Sequence, residues 1–135
     1  MALVIPNVSE VTLLNNMLNV ATPTNTILHL YSNNLTPSST TVVGDVTEVT
    51  SGGYAAITLT SLSWTVATSG GGITTASYAE QTFNITTSAT VYGYYITNVA
   101  GDLLWLERFT AAPFQLPGSG GQVLITSQVS LNSCA

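Results

Sequence analysis

Lysine is absent from this chain, and Arg108 is its only cationic side chain. Charged residues make up 5% of the sequence, against roughly 25% in an ordinary soluble domain. The shortage rules out whole classes of partner. Nucleic-acid binding releases counterions through several Lys or Arg contacts, and one Arg in a net charge of -5 cannot supply them. An anionic membrane surface is disfavoured for the same reason. A phosphate-binding P-loop needs a lysine, so Gly70-Gly-Gly and Gly118-Ser-Gly-Gly read as flexible hairpin tips.

Cysteine and histidine are equally scarce. Cys134 is the single cysteine, which excludes an internal disulfide and a cysteine-rich zinc site. His29 is the single histidine, set between Leu28 and Leu30. It reads as a half-buried strand residue, not as a metal ligand or a base. No G-x-S-x-G turn is present to build a serine nucleophile around it. Asp45, Glu48 and Asp102 are too sparse for a calcium loop and read as loop and turn acids. We therefore expect no enzyme activity, no catalytic or metal residue and no cofactor. Long apolar runs are missing too. The opening run stops at Pro6 and has no basic residue, unlike a secretory signal. No segment approaches the ~20 apolar residues of a spanning helix. The expectation is a protein made in a cytoplasm, with no membrane partner.

A helix is expected over residues 7–19. Asn7 is the expected cap, with Glu10 three positions on. Val8, Val11, Leu14 and Leu18 recur at helical spacing, widened by Leu13 and Met17. Pro23 ends the segment, giving an N-terminal arm over residues 1–24.

From Asn25 the pattern is that of strands, rich in Thr, Val, Ile and Tyr, in a single domain over residues 25–135. Thr26–Ser32 carries apolar groups on both faces and is expected to be covered on both sides. Residues 33–52 are a long polar loop with a short strand expected at Thr41–Val43, and such a loop suits a contact surface. Gly53–Thr60 reads as a strand. The apolar parity then flips to Leu62, Trp64 and Val66, which demands a bulge or a turn. Further strands are expected at Thr75–Ile85, Val91–Thr97, Leu103–Thr110 and Gln122–Leu131. About seven short strands after one helix indicate an all-β fold, an antiparallel β-sandwich or jelly roll.

Contacts are expected at the helix stripe Val8, Val11, Leu14 and Leu18. They are also expected at Tyr94 and Tyr95, which point to opposite faces of a strand so that at least one reaches an outer surface or an interface. Arg108 is the third place, paired with an acid across loops or subunits because an unpaired buried charge is costly. An ion-poor surface is itself unusual for a free monomer, since mixed charges keep proteins dispersed. It points to an assembly component.

The segments MALVIPNVSEVTLLNNML, LHLYSNNLTPSSTT, SGGYAAITLTSLSW, VYGYYIT and LLWLERF resemble a family of small tailed-phage virion proteins, particularly from phages of cyanobacteria. The resemblance implies a β-sandwich structural protein of the capsid decoration, or cement, type. It would sit on an icosahedral head, contacting the major capsid protein and neighbouring copies as a homo-oligomer. Some similar sequences are tail or fibre proteins, which implies the alternative of glycan binding through exposed aromatics. The family brings no catalytic residues.

Overall fold

The computed structural model describes residues 3–19 and 24–132, without the side chains of 14–19 and 132. The fold is all-β and sandwich-like, with one N-terminal helix. Helix α1 (Asn7–Asn19) is followed by β1 (Thr26–Tyr31), β2 (Ile57–Leu59), β3 (Thr65–Thr68), β4 (Ile73–Ser77) and β5 (Gln81–Ile85). Then come β6 (Ala89–Val91), β7 (Gly93–Asn98), β8 (Leu103–Arg108), β9 (Phe114–Leu116), β10 (Gly121–Ile125) and β11 (Gln128–Asn132). The strands pair as a four-stranded sheet in the order β2-β1-β7-β8, a three-stranded sheet β11-β4-β3, and two pairs, β10-β5 and β6-β9. All these pairings are antiparallel.

The central sheet is buried on both faces, because β1 and β7 carry apolar groups at both parities. Leu28 pairs with Ile96, and Leu30 with Tyr94. These side chains face β5 and β10 and form the main core with Phe83, Ile85, Val123 and Ile125. The opposite face carries Tyr31, Tyr95, Leu103 and Leu106, packed under Val4, Leu35, Val46 and Tyr92. The N-terminal segment and the 33–52 loop thus act as the second cover of this sheet.

Several expectations are revised by this packing. The helix is capped by Pro6, whose carbonyl accepts from the N–H groups of Ser9 and Glu10, and Asn7 is already helical. Val4 exchanges backbone hydrogen bonds with Leu106, which extends the sheet beyond β8 and fixes how the helix is turned. Ser9, fully buried, and the half-buried Leu13 therefore face the protein, while Val8 and Val11 are exposed.

The long loop has no strand at Thr41–Val43. It makes a short 3-10 turn at Val43–Asp45 and then runs beside β1, with Ser32 N–H donating to Thr47 O and Val49 N–H to Leu30 O. The Gly53–Thr60 strand shortens to β2, and the parity flip after it is a 3-10 turn at Ser61–Ser63. The Thr75–Ile85 stretch divides into β4 and β5, because Tyr78 N–H turns to Ser127 O. Among the described residues there are eleven short strands, against about seven expected.

Candidate functional site

The most polar cluster among the described residues is built around His29. Its pairing opposite Tyr95, with Ile27 opposite Thr97, puts His29, Tyr95 and Thr97 on the loop-covered face of the central sheet. The imidazole lies flat on the Tyr95 ring, with centroids 4.5 Å apart and 11° between planes. Its Nδ1 is 2.8 Å from Glu48 Oε1 and its Nε2 is 3.0 Å from Thr97 Oγ1. An ionised carboxylate only accepts, so Nδ1–H donates to Glu48, and in the neutral ring Nε2 accepts from the Thr97 hydroxyl.

Glu48 Oε1 also accepts from the Tyr54 hydroxyl at 2.7 Å. The Tyr54 oxygen in turn accepts from Leu30 N–H at 3.1 Å. This hydroxyl fills the gap on the edge of β1 between the end of β2 and the loop residues 47–49. Burial, followed by the neighbouring Glu48 charge, raises the Tyr95 phenol well above its ordinary value. Burial also raises Tyr54, with Leu30 N–H opposing it and Glu48 adding to it. Both tyrosines stay neutral donors in water at any ordinary pH.

Hydroxyl, imidazole and carboxylate stand here in the order of a nucleophilic triad. Thr97, however, is only 4% exposed on a central strand, where a substrate carbonyl cannot reach its oxygen. The cluster works as a tie that fastens the long loop to β1. His29 is thus the half-buried strand histidine that its neighbours suggest. Sequence reasoning missed its partner: Glu48 lies nineteen residues away on a loop that reads as solvated. Replacing Glu48 with Ala strands the Tyr54 hydroxyl and the imidazole without their acceptor. We expect a loss of about 2–3 kcal/mol in urea unfolding. A loss below about 0.5 kcal/mol would show that the tie is dispensable.

Most of the other charges are also held by hydrogen bonds within the chain, Asp45 and Asp102 at the exposed surface and Glu107 and Arg108 half-buried. Asp45 accepts from Val42 N–H, Asp102 accepts from the Asn98 amide, and Glu107 accepts from the Tyr94 hydroxyl at 2.8 Å. Arg108 Nη1 donates to Leu35 O at 2.9 Å, and its guanidinium lies 5.0 Å from the Tyr92 ring centroid. Arg108 therefore bridges to the long loop as expected, but through a carbonyl and an aromatic face instead of an acid. Five of the seven charged side chains are engaged within the fold, and Glu10 and Glu80 lie on the exposed surface.

The remaining expected contact residues divide. Val8 and Val11 lie on the outer face of α1, Val11 with 61% exposure. Leu14 and Leu18 have side chains outside the described residues, as does Cys134. Tyr94 and Tyr95 are both buried within the fold, contrary to the expectation that at least one reaches an outer surface or an interface. The reason is the double covering of the central sheet: Tyr94 enters the main core and Tyr95 the second cluster.

The exposed apolar surface lies elsewhere. Leu62, Val66, Ile73 and Leu131 are exposed around β3, β4 and β11, and Phe114 and Leu124 are exposed beside an apolar recess formed with Phe109 and Val123. Residues 49–79 and 109–135 contain no charged side chain. Among the described residues no group of three His, Cys, Asp or Glu could hold a metal, and no helix is long and apolar enough to cross a membrane. Comparisons of the chain with family models, with curated proteins and with solved structures returned no match.

Proposed function

We propose that this chain is a structural subunit of a virion. In this reading it is a capsid decoration protein that binds the major capsid protein on the head of a tailed phage, alongside copies of itself. One observation carries the reading: the chain has only seven charged side chains, five of them already tied to neighbours within the chain, while large apolar side chains stand in water. An ordinary surface does the reverse, and an uncovered apolar patch marks a place where another protein sits. The resemblance of the sequence to small virion proteins supports a virion as that assembly. A subunit that binds only the finished shell stabilises it by its own binding free energy. The tail-fibre alternative needs an aromatic platform for glycan. The described aromatic side chains are buried or half-buried apart from Phe114, so nothing favours that alternative.

The outer face of α1 is the surface assigned to the shell. Deleting the N-terminal segment is a poor test of this, because Leu3 and Ile5 pack on the main core and Val4 is bonded to β8. The double variant Val8→Glu/Val11→Glu changes only exposed side chains. It should fold as the parent does, yet occupy purified phage heads at roughly a tenth of the parent level or less, since buried carboxylates are costly. Occupancy equal to the parent's would remove the helix face from the interface. Absence of binding by the parent chain to any part of a virion would remove the proposal itself.

A further inference from the structure

We infer that β3 is a self-pairing edge: two copies of the chain join β3 to β3 in antiparallel fashion, about a two-fold axis at Ala67, to make one continuous six-stranded sheet. Among the described residues, β3 pairs only with β4, in the register Thr65 with Ser77, Val66 with Ala76, Ala67 with Thr75 and Thr68 with Thr74. The hairpin closes with Ser69 N–H donating to Ile73 O. In an antiparallel ladder hydrogen-bonded pairs alternate with unbonded ones. Counting from that closure, Ala67 and Thr65 turn their N–H and C=O groups towards β4. Val66 and Thr68 turn theirs outward, away from the sheet.

Those outward groups fit a second copy and no longer stretch is needed. With Ala67 opposite its own counterpart, Val66 of each copy stands opposite Thr68 of the other. Each such pair exchanges both N–H to O bonds, so every outward group of the strand is satisfied reciprocally. The side chains agree with this. Thr65, Val66 and Thr68 are β-branched and suit a paired strand. On the face shared by Val66, Thr68, Ala76, Thr74, Val129 and Leu131, the apolar surface runs from the half-buried Val129 out to Val66 at 65% exposure and Leu131 at 69%.

Charge selects the second copy as the occupant. Chains of net charge -5 repel one another wherever their acids meet. The segment 49–79 has no acid, no Lys and no Pro, although natural proteins place such residues to keep an open edge from pairing. All four residues of β3 are exposed. Trp64 anchors the strand from below, edge-on to Tyr78 and Trp105, so the edge is held in place before a partner arrives.

The purpose of this pairing rests on the assembly reading, but the pairing itself is measured on the isolated chain. The full chain with Cys134→Ser is the background. Ala67→Cys then brings two thiols face to face in an unbonded antiparallel pair, about 4.5 Å apart at Cα. Thr65→Cys, two residues along, leaves its thiols roughly 13 Å apart. Under mild oxidation Ala67→Cys should crosslink roughly tenfold faster or more. Sedimentation of the parent should show mass rising towards twice 14.1 kDa with concentration. Val66→Pro should hold it at the monomer mass with an unchanged circular dichroism spectrum, because the N–H it removes is not used by β4.

Equal crosslinking at both positions, or a parent that stays monomeric near millimolar concentration, overturns the pairing and leaves shell binding to its own test. Crosslinking at Ala67 without binding to any virion supports the pairing and removes the assembly reading.

Discussion

Above pH 10 the folded protein is expected to unfold over a narrow range, between about pH 11 and 12, and not to titrate tyrosine by tyrosine. Tyr31, Tyr94 and Tyr95 are buried and Tyr54 is half-buried. Burial pushes Tyr31 up to about 12, with Arg108 opposing and Glu107 adding. Burial raises Tyr94 further, helped by the charge and the hydrogen bond of Glu107. Tyr95 and Tyr54 are raised by burial and Glu48. In the unfolded chain each ionises near 10.

The folded values exceed the unfolded ones, so the neutral phenols stabilise the fold fully below pH 10. That contribution is lost as pH rises through and beyond 10. Each buried tyrosine removes about 1.4 kcal/mol per pH unit there. The three buried ones together remove about 4 kcal/mol per unit, and Tyr54, partly open to water, adds less. Against a total stability in the lower half of the usual range of about 5–15 kcal/mol, one to two pH units suffice. The absence of lysine leaves that range to the tyrosines. Phenolate absorbance should therefore jump together with loss of circular dichroism. Tyr78, lowered chiefly because its oxygen accepts from Thr60 N–H, should titrate before the jump. Independent titration of Tyr31, Tyr54, Tyr94 and Tyr95 near pH 10 with unchanged ellipticity would refute the burial argument.

The strand pattern is legible in the sequence because alternation is a local property. The stretch Thr26–Ser32 shows apolar groups at both parities, and β1 is indeed covered twice. The flip at Leu62 marks a turn, and Ser69–Gly72 marks a hairpin tip. What is not legible depends on the cover. The helix stripe is a fair amphipathic pattern, yet Val4 bonded to Leu106 and the buried Pro6 set the rotation. As a result Val8 and Val11 face water while Ser9 faces the protein. The same double cover that sequence shows for β1 extends to β7, and this extension buries both Tyr94 and Tyr95. Glu48 and Asp45 differ in fate although they lie three residues apart. Glu48 stands opposite Tyr31 in an isolated bridge and so reaches His29, whereas Asp45 closes a local turn. No property of either residue alone distinguishes them.

Gly93→Ala should be strongly damaging, and the reason is space alone, since Gly93 has no positive φ. Gly93 stands between Tyr31 on β1 and Arg108 on β8. A Cβ there would lie 2.1 Å from Glu107 O, 2.6 Å from Tyr31 Cε1 and 2.7 Å from Tyr31 Oη. The Tyr31 ring occupies the volume that any side chain would need, and Tyr31 is fully buried. Moving the ring would break the second cluster, and it would not relieve the clash with the Glu107 carbonyl. Overpacking a core commonly costs 1–3 kcal/mol, and a backbone clash that neighbours cannot yield to costs more, roughly 3–5 kcal/mol here. For a domain of this size that is a fall in Tm of about 10–20 °C. Tyr31→Ala is itself costly, by about 3–5 kcal/mol, but it removes one of the two obstacles, so the double variant should lose less than the sum of the two single losses. The relief is partial, because the carbonyl remains. Gly44→Ala is the control, as a Cβ at Gly44 meets nothing, and it should leave Tm within a degree or two. A Gly93→Ala protein melting within about 3 °C of the parent would mean that β7 and β8 can part at this point. The close approach of Tyr31, Gly93 and Arg108 would then not be what locks the loop-covered face of the sheet.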